Sequence, residues 1–199
     1  EYAQLLGRGT DKGDAGGLAG FGKRGVLREE AVARVNGFGA GLLGDGEDLL
    51  DHQIGAGGRA FIGGADINHM AAMRKAEDGR AFITLVHKLC QSIRDCPVPV
   101  ICRLEGYTLG AGLEVAAACD MRIAADDAHF GMPEVKVGVP SVVEAALLPR
   151  LIGWGRTSRL LLTAENIDAA KAEAWGLVEE VVPVARLAEA VERCVHSIV

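Results

Sequence analysis

Two acids in this sequence have the type and setting for proton chemistry. Glu114 and Glu134 lie within the stretch 103–134, RLEGYTLGAGLEVAAACDMRIAADDAHFGMPE, among small and apolar neighbours. A carboxyl held partly away from water has a raised pKa and can exchange a proton near neutral pH. Gly110-Ala111-Gly112 stands just before the first acid. The stretch 113–118 is rich in helix formers, which predicts a helix starting near Gly110. The first amides of a helix have no partner within it and carry a partial positive charge. Glycines flanking Ala111 let the backbone approach a ligand closely. An amide there could face a carbonyl oxygen that gains negative charge, which is one half of an oxyanion hole. Spacing alone equally allows close helix–sheet packing, with Glu114 as a first-turn carboxylate complementing the dipole.

A second corner has the same form. Residues 59–70 read RAFIGGADINHM. Phe61-Ile62 reads as a strand end, Gly63-Gly64 as a tight turn and Ala65 as the start of a helix. Its free amides could also point at an anion. Two such corners could supply two converging donors.

These residues carry a family resemblance. AFIGGADINHM resembles the AF-x-x-GADI signature of the crotonase superfamily, whose best-known members are enoyl-CoA hydratases. EGYTLGAGLEVAAACDMRIAADDAHFGMPEVKVGVP resembles that family's central signature. The likeness runs from about Gly58 to Pro183. It implies an α/β fold of the ClpP/crotonase type, a repeated β-β-α spiral core with flanking helices. It implies that the N–H groups of Ala65 and Ala111 form an oxyanion hole for a coenzyme A thioester. It places Asp66, Ile67 and Asn68 along the acyl-CoA site. Glu114 and Glu134 match the two catalytic glutamates of the hydratases, with Glu114 holding the water and Glu134 donating the proton. The activity implied is addition of water across the 2,3 double bond of an enoyl-CoA. The alternatives are another crotonase-type isomerase, dehydratase or decarboxylase, or a non-catalytic acyl-CoA-binding subunit. No metal and no separate cofactor is implied, since coenzyme A belongs to the substrate. Family members form trimers and hexamers, so a homotrimer or hexamer is expected.

The family pattern is broken at 140–151, PSVVEAALLPRL. A glycine-rich turn usually follows this proline, and here Ser141, Val142, Val143 and Glu144 replace it. Ser141 takes a position where the family often has a glycine whose backbone contacts the reacting water. Glu144 is a possible third acid, but Ser141 as N-cap with Glu144 three residues on makes a good capping box, which is the favoured reading.

The remaining elements follow from periodicity. A buried strand ends at 101–104 and Gly106 breaks it. Residues 67–94 repeat Met70, Met73, Phe82, Leu85, Leu89 and Ile93 at helical steps. Asp95-Cys96-Pro97 ends that helix. A strand is expected at 120–125, with 128–130 continuing the sheet, and 176–182 resembles the family's usual closing strand. His129 alternates with apolar neighbours and reads as a structural histidine. Met132, Val135 and Val137 predict partial burial of Glu134. Short helices are expected at 154–164 and 167–175, and 183–198 is amphipathic.

Composition bounds the rest. The 199 residues suffice for one core and one domain. Net charge is -6, which disfavours a nucleic-acid surface. No apolar run is long enough for a membrane span and the start lacks a signal-peptide pattern. Cys90, Cys96, Cys102, Cys119 and Cys194 are odd in number and form no C-x-x-C. They read as reduced core thiols, and a cytoplasmic location is expected. Residues 1–56 are atypical for the family, and about two-thirds of the 27 glycines fall before Ala65. Within them, 39–44 is formally G-x-G-x-x-G, but the preceding stretch is a poor strand for a dinucleotide site. The family's later C-terminal helices are missing, which suggests a fragment.

Overall fold

The computed structural model describes residues 33–36, 60–65, 67–96 and 99–198, with backbone alone for 33–36 and 67–69. The G-x-G-x-x-G run, Asp66 and nearly all of the atypical N-terminal segment lie outside the described residues.

The described residues form two four-stranded sheets. The first has the order β1 (Ala33–Asn36), β3 (Val100–Leu104), β5 (Met121–Ala125), β8 (Glu180–Val182), all parallel. The second has the order β2 (Ala60–Ile62), β4 (Tyr107–Leu109), β6 (His129–Gly131), β7 (Asn166–Asp168), and only β7 is antiparallel to its neighbour. Successive strands therefore alternate between sheets: β1 then β2, β3 then β4, β5 then β6. Helices α1 (Ile67–Ala72) and α2 (Ala76–Arg94) follow the first pair. Helix α3 (Ala111–Ala118) follows the second, and a 3-10 turn at Pro133–Val137 follows the third. This is the β-β-α repeat that the resemblance implies.

Side-by-side bends move the chain between the sheets. Gly106, at φ 62°, turns β3 into β4. The turn at Asp126-Asp127 takes β5 into β6. The bends are tied together: His129 N–H donates to Gly106 O at 2.8 Å, and Gly106 N–H to Asp127 Oδ1 at 3.4 Å. Residues 128–130 thus do not extend the sheet of β5 but begin a strand of the other sheet. Strand β4 was not anticipated, because three residues show too little alternation to declare a strand.

Helical periodicity held better. The buried side of α2 is Phe82, Val86, Leu89, Cys90 and Ile93, a 3.6-residue stripe. The expected single helix over 67–94 is broken at 73–75. Asp78 Oδ2 accepts the Arg74 and Lys75 amides, both at 3.1 Å, and so starts a new helix. The expected helix at 167–175 begins two residues late. Asn166–Asp168 is the edge strand β7, and Asp168 caps α6 (Ala169–Trp175) through the Lys171 N–H at 2.8 Å. Helices α4 (Leu148–Ile152) and α5 (Trp154–Thr163) precede it. Helix α7 (Leu187–Ile198) lays Leu187, Ala190, Val191 and Val195 against Ile101, Ile123, Ala125 and Val182 of the first sheet. The main core fills the other side, where α2, α3 and the second sheet meet.

Candidate active site

Strands β2, β4 and β6 run parallel, so their C-terminal ends leave the sheet along one edge. Those ends are the two glycine corners read in the sequence, Gly63-Gly64-Ala65 and Gly110-Ala111, and the turn Met132-Pro133-Glu134. Such an edge, at the carboxyl ends of parallel strands, is where α/β proteins place their ligands.

The middle corner is the tightest. Gly110 has φ 53° and is the N-cap of α3, and its own N–H donates to Gly131 O at 2.9 Å. A Cβ at Gly110 would stand 2.5 Å from Glu134 Oε1. A Cβ at Gly112 would overlap the backbone oxygen of Ile62, so this glycine seats α3 on β2. Gly112 thus serves the packing expected of the glycine turn, and Gly110 makes room for the second acid. Ala111 is the first residue of α3, so its N–H has no acceptor within the helix. Ala65 is half-buried, beyond Gly64 at φ 126°. Ile67 and Asn68 form the start of α1.

Glu114 is buried, at 3% exposure, one turn into α3. Its Oε1 accepts two backbone donors, Ala145 N–H at 2.9 Å and Glu144 N–H at 3.1 Å. Burial pushes its carboxyl up to about 7, against the pull of the Ala145 amide. The charge of Glu134 adds to the rise, the Glu144 amide opposes it, and the charge of Glu144 raises it further. Glu134 is half-buried, and burial also raises its carboxyl, opposed by its own amide and the Ser141 hydroxyl. Its Oε2 is shielded from solvent and has no hydrogen-bond partner among the described residues. The Glu134 carboxyl packs against Gly110, while Val135 and Val137, expected to help bury it, are exposed.

Glu144 does not behave as expected. Ser141 caps no helix, and the helical path starts only at Ala145, with Glu144 itself as the N-cap residue and no side-chain cap bond. The Glu144 carboxyl instead lies buried against His87 of α2, with Nδ1 to Oε1 at 2.5 Å. Nothing in the sequence singles out His87, one polar residue on an amphipathic helix. His129 is structural, as expected: its Nδ1 meets Asp127 O at 2.9 Å and its ring stacks on Tyr107. Among the described residues no group of three His, Cys, Asp or Glu side chains could hold a metal ion.

Residues 54–199 match the family model for enoyl-CoA hydratase/isomerase. The chain belongs to the enoyl-CoA hydratase/isomerase family. It is 39% identical over 156 residues to a short-chain-enoyl-CoA hydratase of Clostridium acetobutylicum, covering 78% of this chain and 59% of that protein. It is 43% identical over 129 residues to a crotonyl-CoA hydratase of Syntrophomonas wolfei, covering 64% and 49%. The crystal structure of an enoyl-CoA hydratase from Bacillus anthracis superposes with a TM-score of 0.69 at 38% identity, over 72% of this chain and 56% of that one. The chain thus spans about half to three-fifths of the length of the curated relatives it matches.

Proposed function

We propose that this protein hydrates 2-enoyl-CoA thioesters. The observation that carries the reading is the pairing of two carboxyls of raised pKa, Glu114 and Glu134, around the first amide of α3. The thioester oxygen binds between the N–H groups of Ala65 and Ala111. Glu114 takes a proton from water through Oε2, since Oε1 is occupied by two amides. The water oxygen bonds to the β-carbon and the thioester becomes an enolate, stabilised by the two donors. Glu134 delivers its proton to the α-carbon, and the pair ends with one proton exchanged. Water and thioester balance the reaction without a cofactor. Asp66, Ile67 and Asn68 follow the Ala65 donor and contact the acyl-CoA. Double-bond isomerisation moves one proton and needs only one base, so the presence of two acids favours hydration.

A relative named for crotonyl-CoA supports a short enoyl chain as substrate. We place the protein in the cytoplasm, where its five free thiols stay reduced. Among the described residues no helix is long and apolar enough to cross a membrane. A homotrimer or hexamer would cover Trp154 and Leu162 of α5, which are 76% and 75% exposed. Light scattering on the purified protein reads its mass directly.

The deciding assay follows the ultraviolet absorbance of the conjugated thioester of crotonyl-CoA. Loss of absorbance with wild-type protein and none with Glu114→Gln or Glu134→Gln is expected. No loss with the wild type removes the hydration reading.

A further inference from the structure

The turn that holds Glu114 is itself held from outside. Its two donors are the amide of Glu144, the N-cap of the 3-10 turn Ala145–Leu147, and the amide of Ala145, the first residue of that turn. Leu147 N–H donates to Glu144 O at 2.9 Å, so the turn orders the two amides relative to each other, and the Glu144 side chain ties that turn to α2. The Glu144 side chain folds back and is 8% exposed, and its one hydrogen-bond partner among the described residues is His87. His87 stands on α2, a nineteen-residue helix packed on α3 through Cys90 and its buried stripe. It is 54% exposed, so its imidazole spans from solvent to a buried carboxylate.

We propose that His87 and Glu144 form a clamp that seats the Glu144–Ala145 amides on Glu114 Oε1, making His87 a positioning residue for the catalytic base. The clamp stands where the family's glycine-rich turn is replaced, and supplies by a side-chain pair what that turn's backbone would otherwise supply. It rests on the reading of Glu114 as the base. The charged and titratable groups that face Glu114 are Glu134 from the 3-10 turn after β6, Glu144 from this segment and Cys90 from α2.

Two substitutions act in opposite directions. His87→Leu releases the amides and leaves the Glu144 carboxyl beside Glu114 without its hydrogen-bond partner. Both effects hold the proton on Glu114 more tightly. Glu144→Gln keeps an acceptor for His87 and removes the charge, so the proton leaves more easily. The Glu114 carboxyl is followed by its infrared band, assigned through loss of the band in Glu114→Gln, with no substrate present. The expected midpoint rises by about one pH unit in His87→Leu and falls by about one in Glu144→Gln. A one-unit rise from about 7 cuts the ionised fraction at pH 7 about fivefold, and a one-unit fall raises it about twofold. The rate kcat/KM at pH 7 should follow those factors. His87→Gln retains a donor and should restore the wild-type midpoint, which a general loss of packing would not do. Midpoints that stay at the wild-type value in His87→Leu, or that move the same way in both variants, overturn the clamp. Shifted midpoints in a protein without turnover uphold the clamp and remove the hydration reading instead.

Discussion

Gly110 and Glu134 share one space: the Glu134 carboxyl fills the volume that a side chain at Gly110 would need, with Oε1 2.5 Å from the Cβ position. Residue 110 therefore does two things. It adopts φ 53°, which side-chain-bearing residues resist, and it leaves an acid beside the first amide of α3.

Gly110→Ala should cost about 1–2 kcal/mol of stability from the left-handed backbone alone. It should also displace the Glu134 carboxyl and lower kcat for crotonyl-CoA by about 10²-fold, the loss typical of a misplacement of about 1 Å. A thermal melt and a steady-state assay read the two effects. An alanine variant with wild-type kcat would show that Glu134 has no need of this space.

In the proposed mechanism the two acids give different limbs of the pH profile. Glu114 must be ionised to take the water proton, so kcat/KM should fall as pH drops below about 7. Glu134 must hold its proton, so its ionisation sets the alkaline limb. Each Gln variant should lose about 10²–10⁴ in kcat, and the double variant little more, because the two act on one water. A profile with no acid limb between pH 5 and 8 would refute the role of Glu114.

The same carboxyl has a cost in stability. Glu114 has a folded-state pKa of about 7 against 4.5 when unfolded, so the native state holds its proton more tightly. Stability is unaffected below about 4.5, falls as pH rises from there to about 7, and levels off above. A shift of this size corresponds to about 3 kcal/mol. Glu114→Gln should therefore melt higher than the wild type at pH 8, with the gap closing by pH 4. Equal melting temperatures at pH 8 would count against the burial argument.

Arg122 supports the frame behind the site. It is 2% exposed, donates through Nε to Leu177 O at 2.8 Å and through its guanidinium to Cys119 O at 2.7 Å, and pairs with Glu179. Arg122→Met would leave two buried carbonyls without donors, at about 1–3 kcal/mol each. A drop of about 10 °C in Tm is expected for a chain of this size. A drop under 2 °C would mean that water replaces those donors.

By itself the sequence determined the corners and the acids. Gly63-Gly64, Gly110-Ala111-Gly112 and Pro133-Glu134 interrupt apolar runs, and a local break in periodicity is legible without knowing what lies opposite. The stripes of α2 and α7 were legible for the same reason, since burial repeats at the helical period. Only the tertiary structure decided which strands share a sheet. The bends at Gly106 and Asp127 send β3 and β4, and β5 and β6, to different sheets, and they are fixed by bonds between segments twenty residues apart. It also decided the surroundings of Glu114. Its donors at 144 and 145 lie thirty residues away, and His87 meets Glu144 across 57. A side chain's local pattern reports its own burial, but a hydrogen bond depends on where two distant segments come to rest.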